Sequence, residues 1–109
     1  MKKLFMLLTL ILSIVTISAC AQNKSADYNS EKSFETALNK GKDLENKTVK
    51  IKVNKIVPNS AFGYNIQTGK HLNFVSDDNP KVKKGDTLIL KVKNIKSVLG
   101  SYIITYDKQ

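Results

Sequence analysis

The spacing of apolar positions changes several times along the chain, and each change marks a different kind of segment. From Leu4 to Ile17 the run is apolar apart from Thr9, Ser13 and Thr16, with Lys2 and Lys3 ahead of it and small residues behind it up to Cys20. This is the layout of a secretory signal, and the run is too short for a permanent span, which takes ~20 apolar residues. From Cys20 to about Asn29 the chain is polar and aperiodic, as expected of a tether. Asn29 or Ser30 then caps a short helix with Glu31 in its first turn, Phe34, Ala37 and Leu38 on one stripe, and Gly41 as its stop.

Beyond Gly41 the period becomes two. Val49, Ile51 and Val53 alternate with Lys50, Lys52 and Asn54, which predicts a strand with one buried face. Ile56 follows Val53 at an interval of three, so the strand shifts phase and bends, as at a β-bulge. Phe62, Tyr64 and Ile66, a turn at Thr68-Gly69-Lys70, and Leu72 with Phe74 predict a hairpin. Lys84-Gly85-Asp86 turns into a fourth strand with Leu88, Leu90 and Val92 inward and a second bulge near Lys93 or Asn94. Gly100 leads to a last strand, Ser101 to Tyr106, with Tyr102, Ile104 and Tyr106 on one side and Ile103 on the other. Five short bent strands in about seventy residues are too few for two well-covered sheets. The expected fold is therefore mainly β: a small five-stranded OB-like barrel preceded by a short N-terminal helix. The domains read as a signal over residues 1–19, a tether over 20–29 and the barrel with its helix over 30–109.

Ile17-Ser18-Ala19-Cys20 resembles the lipobox of bacterial lipoproteins. The resemblance implies cleavage between Ala19 and Cys20 and a diacylglyceryl thioether on Cys20. The competing reading is an ordinary signal with an incidental cysteine. Cys20 is the only cysteine, so no disulfide can form within one chain and an exported thiol would otherwise stand unexplained. Each buried acyl CH₂ contributes ~0.8 kcal/mol, so two or three chains hold a protein firmly on a membrane. The expected location is the outer face of the cytoplasmic membrane.

A second resemblance covers most of the mature chain. Asn46-Lys47-Thr48-Val49-Lys50-Ile51, the hairpin from Gly63 to Val75, the turn Val82-Lys83-Lys84-Gly85-Asp86-Thr87-Leu88 and the closing strand are similar to exported OB-fold domains of the tRNA-anti-like group. These motifs mark a fold, and they carry no catalytic or binding role with them. Where that group often has a glycine in the bent first strand, this chain has Asn54.

Charge narrows the partners. All 18 basic residues are lysine, and asparagine is abundant, a bias that points to a low-GC Gram-positive host or one of its phages or plasmids. Removing Lys2 and Lys3 with the signal leaves sixteen lysines against nine acids, a mature charge of +7. Near a membrane such a domain is drawn to anionic headgroups or wall polymers by ~1 kcal/mol per lysine at the surface. Lysine lacks the planar fork with which arginine reads phosphate or guanine, so sequence-specific nucleic-acid recognition is disfavoured. A solvated surface that simply keeps the protein soluble accounts for the same lysines.

Chemistry-bearing residues are sparse. His71, the one histidine, reads as a solvated residue of the third strand. Asp77 and Asp78 sit beside Asn79-Pro80, where turn formation explains them better than a calcium loop needing six to eight oxygens. No phosphate loop, cysteine cluster or useful acid pair is present, so neither enzyme activity nor a cofactor nor a metal is expected. The outward polar positions Lys50, Lys52, Asn65, Gln67 and Asn73 form the candidate binding face, joined by the loops from Asn59 to Phe62 and from Ser76 to Lys81. The expected function is a non-catalytic, membrane-anchored binding module for a protein or an anionic envelope polymer. The alternatives are a single-stranded nucleic-acid binder, which would need Tyr64 or Phe74 outward for stacking, and a phage- or plasmid-encoded exclusion or immunity lipoprotein.

Overall fold

The computed structural model describes residues 25–109. The expected signal, with its expected cleavage point at Ala19 and lipidation site at Cys20, lies outside the described residues. The chain forms helix α1 (Glu31–Asn39) and strands β1 (Thr48–Lys52), β2 (Lys55–Ser60), β3 (Gly63–Thr68), β4 (Leu72–Ser76), β5 (Thr87–Val98) and β6 (Ser101–Lys108). They make one curled sheet in the order β1-β5-β6-β4-β3-β2, antiparallel except for the parallel pair β4 and β6.

The two strands at the ends of that order, β1 and β2, are consecutive in the chain. Only Val53 and Asn54 separate them, and hydrogen bonding changes sides between these two residues. The Val53 N–H donates to Asp86 O at 2.8 Å, toward β5, whereas the Asn54 N–H donates to Gln67 O at 3.0 Å, toward β3. The phase shift between Val53 and Ile56 is the sequence trace of this handover. One bent strand thus serves both edges of the sheet, which curls it into an OB-like half-barrel. The expected first strand is therefore two segments, and six strand segments stand where five strands were counted. The second bulge falls where the spacing placed it, with the β5–β6 register shifting between Val92 and Asn94.

The inward alternation builds the core. Val49, Ile51 and Val53 of the first strand meet Ile66, Leu72, Phe74, Leu90, Val92 and Ile104, all buried. α1 belongs to the same core through Phe34, Ala37, Leu38 and, beyond the helix, Leu44. Phe34 is fully buried, packs edge-on to Tyr28 at 5.7 Å between centroids, and lies 6.1 Å from Phe74. The Ser30 hydroxyl caps the helix by accepting from the Ser33 N–H at 3.1 Å. The last residues of the stretch read as a tether are docked. Tyr28 bridges in parallel to Val49, and the Asp27 carboxylate accepts from the Thr48 N–H at 3.0 Å, which holds that carboxyl below its ordinary value.

Candidate functional site

The face of the sheet turned away from the core carries the groups able to recognise a partner. Strand alternation puts Val57, Asn65 and Val75 in one cross-strand row and Lys55, Gln67 and Asn73 in the next. The parallel pairing of β4 with β6 places Ile103 beside Asn73. Asn65, Gln67 and Asn73 form a network. Asn73 Oδ1 accepts from Asn65 Nδ2 at 3.0 Å and from Gln67 Nε2 at 3.5 Å, while Asn73 Nδ2 donates to Tyr102 O at 3.2 Å. These bonds tie β3, β4 and β6 together across their outer side. The Asn65 side chain is buried, and its Oδ1 has no hydrogen-bond partner. An unpaired buried acceptor costs about 1–3 kcal/mol, so the network is left one donor short.

The amide network lies between two depressions of different chemistry. On one side is a polar cleft of about 290 Å³ lined by Lys55, Gln67, Lys70, His71, Asn73 and Ser101 among others, with no carboxylate in its lining. On the other is a groove of about 420 Å³ in which Phe62, Val75 and Ile103 supply apolar surface and Lys96 and Asp77 one charge of each sign. Phe62, at the β2–β3 turn, is 47% exposed. The turn is held tight by Gly63, whose φ of +91° and position against Ser76 O leave no room for a side chain.

α1 fixes the turn that brings Lys70 and His71 to the cleft. Glu35 Oε1 accepts from the backbone N–H groups of Lys70 at 3.1 Å and His71 at 3.0 Å, and Oε2 lies 3.0 Å from His71 Nδ1. Burial raises the affinity of this carboxyl for a proton, but the His71 N–H, the His71 ring and the Lys70 N–H together outweigh burial. The net effect holds Glu35 below its ordinary 4.5. Gly69, at φ +58°, lets the turn approach closely, since a side chain there would meet Glu35 Oε1 and Leu72.

The structure brings Asn65, Gln67 and Asn73 together as one patch, and it places Lys50 and Lys52 elsewhere. Both lysines are exposed on β1, which is paired to β5 and bonded to Tyr28; the Lys52 carbonyl also accepts from Thr68 Oγ1 of β3 at 2.6 Å, yet neither lysine lines the cleft. The lysines beside the amides are Lys55, just past the handover at Val53–Asn54, and Lys70 in the β3–β4 turn. His71 stands in that turn ahead of β4, half-exposed and tied to Glu35. Among the described residues, Asp77 and Asp78 belong to no cluster able to hold a metal ion. Phe74 is fully buried, while Tyr64 is half-buried and opposite Ser76. Glu35 was not legible as a site residue, because a glutamate one place after Phe34 on a helix looks like part of a solvated face. The chain matches no protein-family model, no curated protein and no solved structure.

Proposed function

We propose that the mature chain is a lipid-anchored, non-catalytic OB-like module on the outer face of the cytoplasmic membrane, binding a cell-envelope polymer or a protein through the outer side of β3, β4 and β6. The observation that carries this reading is the amide network of Asn65, Gln67 and Asn73, one donor short, set between a basic cleft and an apolar groove. A cleft lined by no carboxylate, in a mature chain of sixteen lysines against nine acids, favours an anionic partner. The anchor rests on the Ile17-Ser18-Ala19-Cys20 sequence and the absence of any other cysteine. Tether length matters to reach: if Cys20 carries lipid, the few residues before the docked Ala26 span ~3.3–3.6 Å each at most, so the barrel rides close to the bilayer.

The test is expression in a Gram-positive host followed by fractionation, intact mass and pelleting with isolated wall material. Wild type should partition with membranes, carry a diacylglyceryl mass and pellet with wall. Cys20→Ala should remain unlipidated and be released or stay as precursor. A variant equally membrane-bound with unchanged mass, or a wild type that ignores wall material at low salt, would overturn the corresponding half of the reading.

A single-stranded nucleic acid is the second reading, and exposed Phe62 beside Lys96 is what favours it. It ranks below the first because the cleft has no aromatic surface for stacking apart from the His71 ring, which Glu35 engages through Nδ1.

A further inference from the structure

The basic cleft asks for a more specific ligand than a general anion. Lys55 and Lys70 line it and, among the described residues, form no ion pair; the one lysine–acid pair is Lys93 with Asp107, at 3.8 Å. Two ammonium groups free of ion pairs, in a cleft whose lining holds no carboxylate, suit a compact, multiply bonded anion, and lysine is a point-charge partner for phosphate. The neighbouring Glu35 carboxylate is engaged by the Lys70 and His71 N–H groups and the His71 ring. The cleft also offers acceptors. Gln67 is half-buried, and its Oε1 has no partner among the described hydrogen bonds, while its Nε2 reaches Asn73 only at 3.5 Å. Ser101 adds a hydroxyl to the same lining. A phosphate alone brings acceptors only, so it satisfies the lysines and leaves the Gln67 Oε1 unmet. A ligand satisfying both must carry hydroxyl donors next to its phosphate.

We infer that this cleft seats one phosphate of a polyol phosphodiester polymer, with Lys55 and Lys70 holding the phosphate and Gln67 accepting from an adjoining hydroxyl group. The inference rests on the outer face being the recognition surface and names what that face reads. Its volume of about 290 Å³ is at the small end for ligand pockets, in keeping with a seat for one repeat of a chain that continues across the open face. A nucleic acid of equal charge is the poorer occupant, because the exposed aromatic, Phe62, lines the neighbouring groove and not the cleft. The turn bearing Lys70 is held by Glu35, so the seat is preorganised by α1.

The experiment is a ¹⁵N-resolved titration of the full chain in nonionic detergent micelles. The probes are a glycerol phosphate oligomer, inorganic phosphate, a single-stranded oligonucleotide with the same number of phosphates, and an uncharged glucan. The expected result is that the glycerol phosphate oligomer moves the amide signals of Lys55, Gln67, Lys70, His71 and Asn73, with inorganic phosphate moving a subset weakly. Lys55→Gln/Lys70→Gln should keep the remaining spectrum and lower oligomer affinity about thirty-fold, from about fivefold per lysine. Should the double variant lose its dispersed spectrum, each single exchange is read for a loss of about fivefold. Oligomer binding that leaves the cleft signals still, or that is equal in wild type and variant, overturns the phosphate seat while leaving the outer face as recognition surface. Glucan shifting the outer-face signals without charge dependence does the same. Oligonucleotide affinity equal to that of the glycerol phosphate oligomer overturns the polyol requirement. No response to any phosphate probe overturns the inference altogether.

Discussion

Glu35 and His71, thirty-six residues apart, are joined through both carboxylate oxygens: Oε1 takes the His71 backbone N–H at 3.0 Å, and Oε2 faces its Nδ1 at 3.0 Å. With the Lys70 N–H also bound, α1 is locked to the β3–β4 turn by a charged, largely buried acceptor. Hydrogen bonds to a charged group contribute about 1.5–3 kcal/mol each at most, and losing the acceptor strands two backbone donors.

Glu35→Ala should therefore lower stability by about 2–4 kcal/mol, and Glu35→Gln by less. The sign of the pH dependence follows from a carboxyl held below its ordinary 4.5 in the fold. Its contribution is fully present above 4.5 and is lost as pH falls through the lower folded value. Urea melts at pH 7 and at pH 3 should show the gap between wild type and Glu35→Gln shrinking toward zero in acid. A gap that is constant with pH would mean that the charge on Glu35 contributes nothing.

Phe34→Ala should cost about 3–5 kcal/mol, since the ring is fully buried between Tyr28 and Phe74. That would make α1 part of the barrel core and not an appendage. A loss under ~1 kcal/mol in denaturant melts would contradict the packing described.

Two glycines with similar positive φ separate strain from collision. A Cβ on Gly63 would stand 2.5 Å from Ser76 O, whereas one on Gly85 would meet nothing within 4 Å. Gly85→Ala should cost about 1–2 kcal/mol from backbone strain alone. Gly63→Ala should cost about 2–4 kcal/mol and shift the signals of Phe62 and Ser76. Equal losses would mean that the β2–β3 turn has more room than its backbone shows.

The β5–β6 hairpin turns at Leu99-Gly100, with φ of +49° and +83°, and Leu99 is wholly exposed. Two positive φ values are the signature of a type I′ turn, which favours asparagine before glycine. Leu99→Asn should stabilise the fold by about 0.5–1 kcal/mol in thermal or urea melts. A loss of stability would show that the leucine side chain is held by contacts.

Period and turn chemistry made most of this fold readable in advance. Ser30 and Gly41 bracketed α1, the interval from Val53 to Ile56 located the bend, and the interval from Val92 to Ile95 located the β5 bulge. Partner exchange at Val53–Asn54 was not readable, because spacing records that a strand changes phase and not which neighbour it then joins. The same limit separated the candidate face. Asn65, Gln67 and Asn73 share adjacent strands and lie together, while Lys50 and Lys52 precede the handover and pair with β5, Lys52 touching β3 only through its carbonyl and Thr68. Lys70 and His71 reached the cleft through Glu35, a contact across thirty-six residues that no local pattern announces.

The central claim is that recognition occurs on the outer side of β3, β4 and β6. It is tested most directly by comparing two double variants of the protein for binding to isolated wall material. Gln67→Ala/Asn73→Ala removes the amides between the two depressions, and Lys50→Glu/Lys52→Glu reverses charge on β1 without touching the core. The exposed lysine exchanges alter stability by about 0.5 kcal/mol or less, whereas Asn73→Ala also strands the buried Asn65 amide and costs about 1–3 kcal/mol, so circular dichroism checks that both variants fold. The account predicts at least a tenfold loss of binding for the amide variant and a smaller, salt-sensitive loss for the lysine variant. Undiminished binding by a folded amide variant, with binding abolished in the lysine variant, would contradict it and move the site to β1.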